Sequence, residues 1–150
     1  MTNTYTNHIY HIVFSTKNRL PLITPDLKEK LYNYIGGIIQ EEKGVLISIG
    51  GMPDHIHICV KLKACVSISE MLRKIKSNSS KWVNELLKNN PKFAWQNGFG
   101  SFTVSESQLI PLMNYIKNQE EHHRNKSFKD EFIGFVKKQN IKYDEKYFWK

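Results

Sequence analysis

The chain has 150 residues, 40% of them hydrophobic and 24% charged, with 8 Gly and 5 Pro. That is the composition of one globular unit with a real core, and it excludes collagen-like, mucin-like and predominantly disordered chains. Lys and Arg number 22 against 14 Asp and Glu, a formal charge of +8, which points to a polyanionic partner, nucleic acid before a membrane surface. Cys59 and Cys65 are too few and too close for a disulfide framework and lack C-x-x-C spacing, so reduced thiols and a cytoplasmic location are expected. Neither a secretory leader nor a membrane span is expected, because no basic-then-apolar N-terminus and no window of about 18 apolar residues occurs.

In chain order, His8 to Ser15 is rich in β-branched and aromatic residues and reads as a first strand ending in a polar turn, Thr16 to Arg19. Thr24-Pro25-Asp26 supplies a cap, a proline at the first helical position and an acid in the first turn. Leu27, Leu31, Ile35, Ile38 and Ile39 then follow on one helical face, up to about Gly44. Val45 to Ile49 reads as a second strand with Val45, Ile47 and Ile49 on one face, and Gly50 to Asp54 turns it into a third, His55 to Leu62. A second helix starts after Ser67, with Ile68, Met71, Leu72, Ile75, Trp82, Val83 and Leu86 along its apolar stripe and Arg73, Lys74, Lys76 and Lys81 away from it.

Phe93 to Val104 reads as a turn through Asn97-Gly98 and a fourth strand. A third helix, capped by Ser105 or Ser107 and holding Pro111 in its first turn, is expected to run through Tyr115 to about Arg124. A last amphipathic segment, Lys129 to Asn140, carries Phe132, Phe135 and Val136 ahead of an aromatic tail, Tyr143 to Trp149. The order β-α-β-β-α-β with extra C-terminal helices predicts an α+β, ferredoxin-like unit with an antiparallel sheet, one domain over residues 1–150.

The sharpest local feature is Pro53-Asp54-His55-Ile56-His57-Ile58-Cys59-Val60. Strand side chains alternate, so Ile56, Ile58, Val60 and Leu62 share one face while His55 and His57 project together from the other. Two imidazoles on one rigid face can chelate a divalent metal, although a pair of half-buried structural histidines has the same spacing. Cys59 lies on the His face, which leaves open a softer His/His/Cys zinc site. Downstream, Tyr115, Gln119 and His122 fall on one helical stripe, turned away from Leu109, Met113 and Ile116. A phenol hydroxyl can attack a phosphodiester when a cation neutralises the phosphate oxygens and the attack is held in line. His55, His57 and Gln119 supply an incomplete nitrogen/oxygen shell suited to Mg²⁺ or Mn²⁺.

His55-Ile56-His57 with Tyr115-x-x-x-Gln119 downstream resembles the single-tyrosine HUH transposases of small bacterial insertion sequences, the transposase A type that includes the repeat-associated tyrosine transposases. The likeness extends over His11-Ile-Val-Phe-Ser-Thr-Lys-Asn-Arg19, Met52-Pro-Asp-His-Ile-His57 and Trp95-Gln-Asn-Gly-Phe-Gly-Ser-Phe-Thr-Val-Ser105. It implies a homodimeric, metal-dependent DNA endonuclease and transesterase that recognises imperfect hairpins in single-stranded DNA at element ends. Such an enzyme cuts through a 5′-phosphotyrosine intermediate and rejoins strands without ATP. By the same resemblance Tyr115 is the nucleophile, His55 and His57 are metal ligands, and Gln119 is the third. Active sites shared between subunits are one implied arrangement.

Asp54 is an accessory candidate that could orient an imidazole or serve the turn, and His122 could assist Gln119, contact phosphate or lie at the surface. Lys17, Arg19, Arg73, Lys74, Lys76 and Lys81 are candidate phosphate contacts or members of a solvated basic face, and Trp95, Phe99 and Phe102 are candidate stacking platforms for unpaired bases, core residues or dimer contacts. Two other readings stand beside the transposase: a non-cleaving hairpin-binding or single-stranded-DNA-binding protein of the same fold, and a replication or conjugation nickase. The sequence leaves open the hairpin, the cleavage site, the preferred metal, and whether the active site is built in cis or in trans.

Overall fold

A computed structural model describes residues 4–88, 92–123 and 126–144, the side chain of His122 excepted. Its elements run β1 (His8–Ser15), α1 (Pro25–Glu41), β2 (Gly44–Met52), β3 (His55–Leu62), α2 (Ile68–Leu87), β4 (Gly100–Thr103), α3 (Leu109–Lys117), α4 (Gln119–His122) and α5 (Phe128–Lys138). The strands form one antiparallel sheet in the order β2-β3-β1-β4, the ferredoxin-like arrangement expected from the element order. Among the described residues no helix is long and apolar enough to cross a membrane.

Local chemistry explains where the helices start. The Thr24 hydroxyl accepts from the Leu27 amide ahead of Pro25, Ser67 accepts from the Glu70 amide, and Ser127 accepts from the Asp130 amide. Each cap contributes about 1 kcal/mol by satisfying an N–H the helix leaves open. Helices α1 and α2 cover one face of the sheet. There Leu27, Leu31, Ile35, Met71, Leu72 and Ile75 pack on Ile12, Phe14, Ile56, Ile58 and Val60. On the other face, α3 packs Ile116 and Leu112 against Ile9 and Cys59, while α5 packs Phe128 and Val136 against Val13 and Phe102.

Several sequence expectations change. The register of β2 against β3 shifts between Leu46 and Ser48. The extra residue reverses the alternation, so Val45, Ile47 and Ile49 do not share a face: Leu46 and Ile49 join the α1/α2 core, Ile47 joins the Ile116 cluster, and Val45 is exposed. The third helix does not run unbroken to Arg124. A 3-10 turn, Glu106–Gln108, precedes α3, and the helix is interrupted at Asn118 (φ −102°, ψ 32°) before α4 begins at Gln119. Asparagine is a poor interior helix residue, because its amide competes for backbone partners; Arg124 itself lies outside the described residues. The fourth strand is confined to Gly100–Thr103, with Trp95 making an isolated bridge to Thr16 and Gly98 taking a turn conformation at φ +85°. The last helix begins one residue early, at Phe128, and ends at Lys138. The aromatic tail lies outside the described residues beyond Asp144.

Gly50 decides how closely α3 approaches the sheet. A Cβ there would lie 2.5 Å from the Ile116 carbonyl oxygen, a backbone atom that yields only if the helix moves. Gly50→Ala is expected to cost about 1–3 kcal/mol of stability, measured as a lowered urea midpoint, whereas Gly37→Ala, with open space around its Cβ, leaves the midpoint unchanged or raises it.

Candidate active site

The alternation of β3 sends Ile56, Ile58, Val60 and Leu62 into the α1/α2 core and His55 and His57 to the opposite face, as the sequence predicts. That face is roofed by α3 to α5, so both histidines are fully buried, with ring centroids 5.2 Å apart. Aromatic rings of α5 hold them: Phe128 stacks on His55 at 4.4 Å, and Phe135 meets His57 edge-on at 6.0 Å.

At the centre lies a carboxylate, Glu131 of α5, only 4% exposed. Its Oε1 is 2.9 Å from His57 Nε2 and 3.5 Å from His55 Nε2. Its Oε2 accepts from the Tyr115 hydroxyl and from Gln119 Nε2 at 3.5 Å. His123 brings Nε2 to 3.2 Å from the same oxygen. Ligand atoms of His55, His57 and Glu131 all lie within 4.8 Å of one another. Nitrogen and oxygen donors at this spacing could hold a metal ion.

The structure brings Tyr115, Gln119, His55, His57 and Asp54 together within one chain. Gln119 Oε1 is 3.1 Å from His55 Nε2, and Asp54 Oδ1 is 2.7 Å from His55 Nδ1, the orienting position considered for it. Cys59 shares the His face but is taken up in the apolar cluster with Ile9 and Ile116, away from the donor group. The side chain of His122 lies outside the described residues; the neighbouring His123 reaches the site, its ring 4.6 Å from that of His55. Neither Glu131 nor His11 is among the sequence-based candidates. Glu131 had a signal: it is an acid on the α5 stripe otherwise made by Phe128, Phe132 and Phe135, three residues from one and four from another. His11 is 4% exposed, and its Nε2 lies 2.8 Å from His57 Nδ1.

Burial and pairing set the charges. Burial pushes the Tyr115 phenol up, and the neighbouring Glu131 carboxylate pushes it further, so the hydroxyl keeps its proton. Burial alone would raise Glu131, but hydrogen bonds from His57 and Tyr115 and the electrostatic pull of the histidine rings outweigh it and hold the carboxyl at about 2. Asp54 is likewise held below its ordinary value by His55, against burial. Burial dominates the histidines of the floor: His57 is lowered despite Glu131, and His11 is pushed down to about 3.

The candidate DNA-contacting residues divide. Lys17 and Arg19 are exposed on the turn after β1, and Arg19 lines an open cleft with Asn18, Asp54, His123 and Lys126 that leads to the buried group. On α2, Arg73 pairs with Glu70 at 3.0 Å and Lys74 with Glu42 at 2.7 Å, while Lys81 is exposed. Lys76 donates to the carbonyls of Gln96 and Gly98, with its ammonium 5.1 Å from the centre of the Phe14 ring. Among the aromatic candidates Trp95 is a core residue, its Nε1 donating to Ser79 Oγ at 2.9 Å, and Phe102 is buried beneath α5. Phe99 is exposed, at the rim of a pocket that it shares with Lys76 and Asn97.

The sequence model of IS200-like transposases matches residues 4–119, and the chain belongs to that family. Helix α5 and Glu131 lie beyond the matched span. Among solved structures, a candidate transposase from Deinococcus radiodurans R1 superposes with a TM-score of 0.65 at 20% identity, covering 79% of this chain and 95% of its own. A REP-associated tyrosine transposase bound to a REP hairpin superposes with a TM-score of 0.60 at 15% identity, covering 79% and 70%. Both share the fold. No curated protein matches the sequence.

The lowered pKa of His11 sets a sign. A base whose folded pKa of about 3 lies below its ordinary 6.5 binds fewer protons folded than unfolded, so its contribution is whole above 6.5 and is lost as pH falls toward 3. In EDTA, going from pH 7 to pH 5 is expected to remove about 2 kcal/mol through this group. Urea unfolding of His11→Gln at the two pH values should show a correspondingly flatter dependence than that of the native chain.

Proposed function

We propose that this chain is a DNA transposase that cleaves and rejoins single-stranded DNA at hairpin-marked element ends through a 5′-phosphotyrosine link to Tyr115. The observation that carries the reading is the meeting, in one chain, of the Tyr115 hydroxyl with the buried His55, His57 and Glu131 donors. Family membership supports DNA transposition as the task, and the hairpin bound by the REP-associated neighbour supports a hairpin substrate.

His55, His57 and Gln119 would hold Mg²⁺ or Mn²⁺, with the Glu131 carboxylate beside them. When bound, such an ion supplies positive charge that neutralises the oxygens of the scissile phosphate. The Tyr115 oxygen forms a bond to phosphorus as the bond from phosphorus to the 3′ oxygen breaks. The phenol proton has an acceptor already in contact, Glu131 Oε2, and the protonated carboxyl returns it to the departing 3′ oxygen. The tyrosine ester retains the energy of the phosphodiester, so a 3′-hydroxyl attacking it rejoins strands without ATP. Asp54 and the sheet keep His55 facing the site, and the α5 rings exclude water from the reacting group. Lys17 and Arg19 contact phosphates on the approach, and Phe99 stacks on an unpaired base.

Residues 1–150 act as one HUH-type domain in the cytoplasm, nucleoid-associated when on DNA. Assembly is a homodimer in which each chain keeps its own Tyr115 over its own histidines. Sedimentation on hairpin DNA at micromolar concentration is expected to give two chains per complex; a single chain would remove the dimer from the reading.

Labelled single-stranded hairpins from the genomic neighbourhood, incubated with Mg²⁺ or Mn²⁺ and run on denaturing gels, are expected to yield a covalent adduct. The adduct should be absent in EDTA and absent from Tyr115→Phe. Tight hairpin binding with no adduct under either metal would establish the non-cleaving binding protein instead.

A further inference from the structure

The hydrogen bond between His11 and His57 joins two enclosed rings. The nitrogens Nε2 of His11 and Nδ1 of His57 are 2.8 Å apart, and the rings stack at 5.1 Å with 18° between their planes. His57 is fully buried and His11 nearly so, and Phe135 closes the edge of His11 at a ring distance of 5.0 Å. Water is therefore a poor substitute partner for either nitrogen.

The direction of this bond follows from what lies at the other end of His57. Its Nε2 is 2.9 Å from Glu131 Oε1, and a carboxylate can only accept. In this arrangement His57 Nε2 carries the proton, Nδ1 carries the lone pair, and His11 Nε2 donates. To serve as a ligand, His57 Nε2 must instead offer its lone pair. The proton then sits on Nδ1 and the bond to His11 runs the other way, with His11 Nε2 accepting. Each ring changes tautomer and neither changes charge.

We infer that His11 is the positioning residue for His57, an amphoteric partner that keeps Nδ1 hydrogen-bonded both when Nε2 faces Glu131 and when Nε2 is freed to ligate. The inference rests on reading His57 as a metal ligand. The other ligand is treated differently. His55 Nδ1 faces Asp54 Oδ1 at 2.7 Å, an acceptor only, so its proton is fixed on Nδ1. A carboxylate at position 11 would lock His57 in the same way and break its bond to Glu131. An apolar residue would leave a buried nitrogen unpaired. Of the side chains that reach as far, an imidazole or a carboxamide can both donate and accept. His11 is 4% exposed and enclosed by Phe102 and Phe135, a setting that favours the neutral ring able to accept. Partners behind metal-binding imidazoles typically change metal affinity 10–100-fold.

The test uses the full chain with ¹⁵N-labelled histidine and long-range proton–nitrogen correlation spectra, first in EDTA and then with Mg²⁺. His57 and His11 are both expected to move from the Nε2–H to the Nδ1–H tautomer on addition of the ion. In calorimetric titration with Mn²⁺, His11→Phe should bind about 10–100-fold more weakly while His11→Gln stays within about threefold of the native chain. Near-UV circular dichroism checks that both variants are folded. Native chain that binds Mn²⁺ while His57 keeps its Nε2 proton in saturating Mg²⁺ would overturn the inference alone, as would a folded His11→Phe that binds as tightly. Native chain that binds neither ion would instead overturn the metal reading, and the role of His11 with it.

Discussion

A carboxylate cannot be buried without partners, and Glu131 is buried with nearly all of its lone pairs engaged. His57 donates to one oxygen, and Tyr115 and Gln119 donate to the other. Removing an ionised group from water costs several kcal/mol unless its charge is met by opposite charge and hydrogen bonds. Glu131 therefore ties three separate segments to one point: the His pair of β3, the tyrosine of α3 and the start of α4. Helix α5 is fixed from both sides of that point, by Phe128 on His55 and by Phe135 against His11 and Tyr115.

The same constraint explains why histidines occupy a sheet face that is otherwise ordinary core. A four-stranded sheet with helices on one side leaves its other side to water, and two imidazoles there would titrate freely. Covering that side with α3 to α5 makes the histidine floor a low-dielectric compartment in which His11 and His57 are held neutral by burial. Each imidazole then needs a specific partner at each nitrogen. Asp54 and His11 supply these at the far sides, leaving the Nε2 atoms of His55 and His57 directed at Glu131 and, for His55, Gln119. The geometry of the imidazoles is thus a property of the sheet, while the tyrosine and the central acid arrive on helices added after it.

Close approach of those helices depends on small features. Gly50 lets the backbone of α3 sit against β2. The interruption at Asn118 ends α3 just before Gln119, whose amide then bridges Tyr115, His55 and Glu131. On the far side of the molecule the α2 cations are divided between structure and surface. Lys76 clamps the carbonyls of the Gln96–Gly98 turn, and Arg73 and Lys74 are paired with acids. A basic helix read from sequence is therefore only partly a basic surface.

Much was legible in the sequence because it depends on neighbours in the chain. The period-two alternation of His55 to Leu62 separates imidazoles from aliphatics on any strand, and Thr24-Pro25-Asp26 starts a helix through contacts within its own first turn. The spacing of Tyr115 and Gln119 survived even though the helix between them breaks, since Gln119 follows the break directly. The β2 bulge was not legible, because which residue is extra depends on the pairing with β3. Lys76 reads as a DNA-facing candidate from its place on a basic helix, but it meets carbonyls 20 and 22 residues away, and Trp95, open between base stacking and core, is settled as core by a serine 16 residues away. Glu131 and His11 stand 74 and 46 residues from His57, so no local pattern joins either of them to it. The sequence by itself determined the elements, the two faces of β3 and the residue types able to ligate and attack. Only the tertiary structure decided which acid and which histidine complete the group, because a buried charge or imidazole selects its partners by proximity in space.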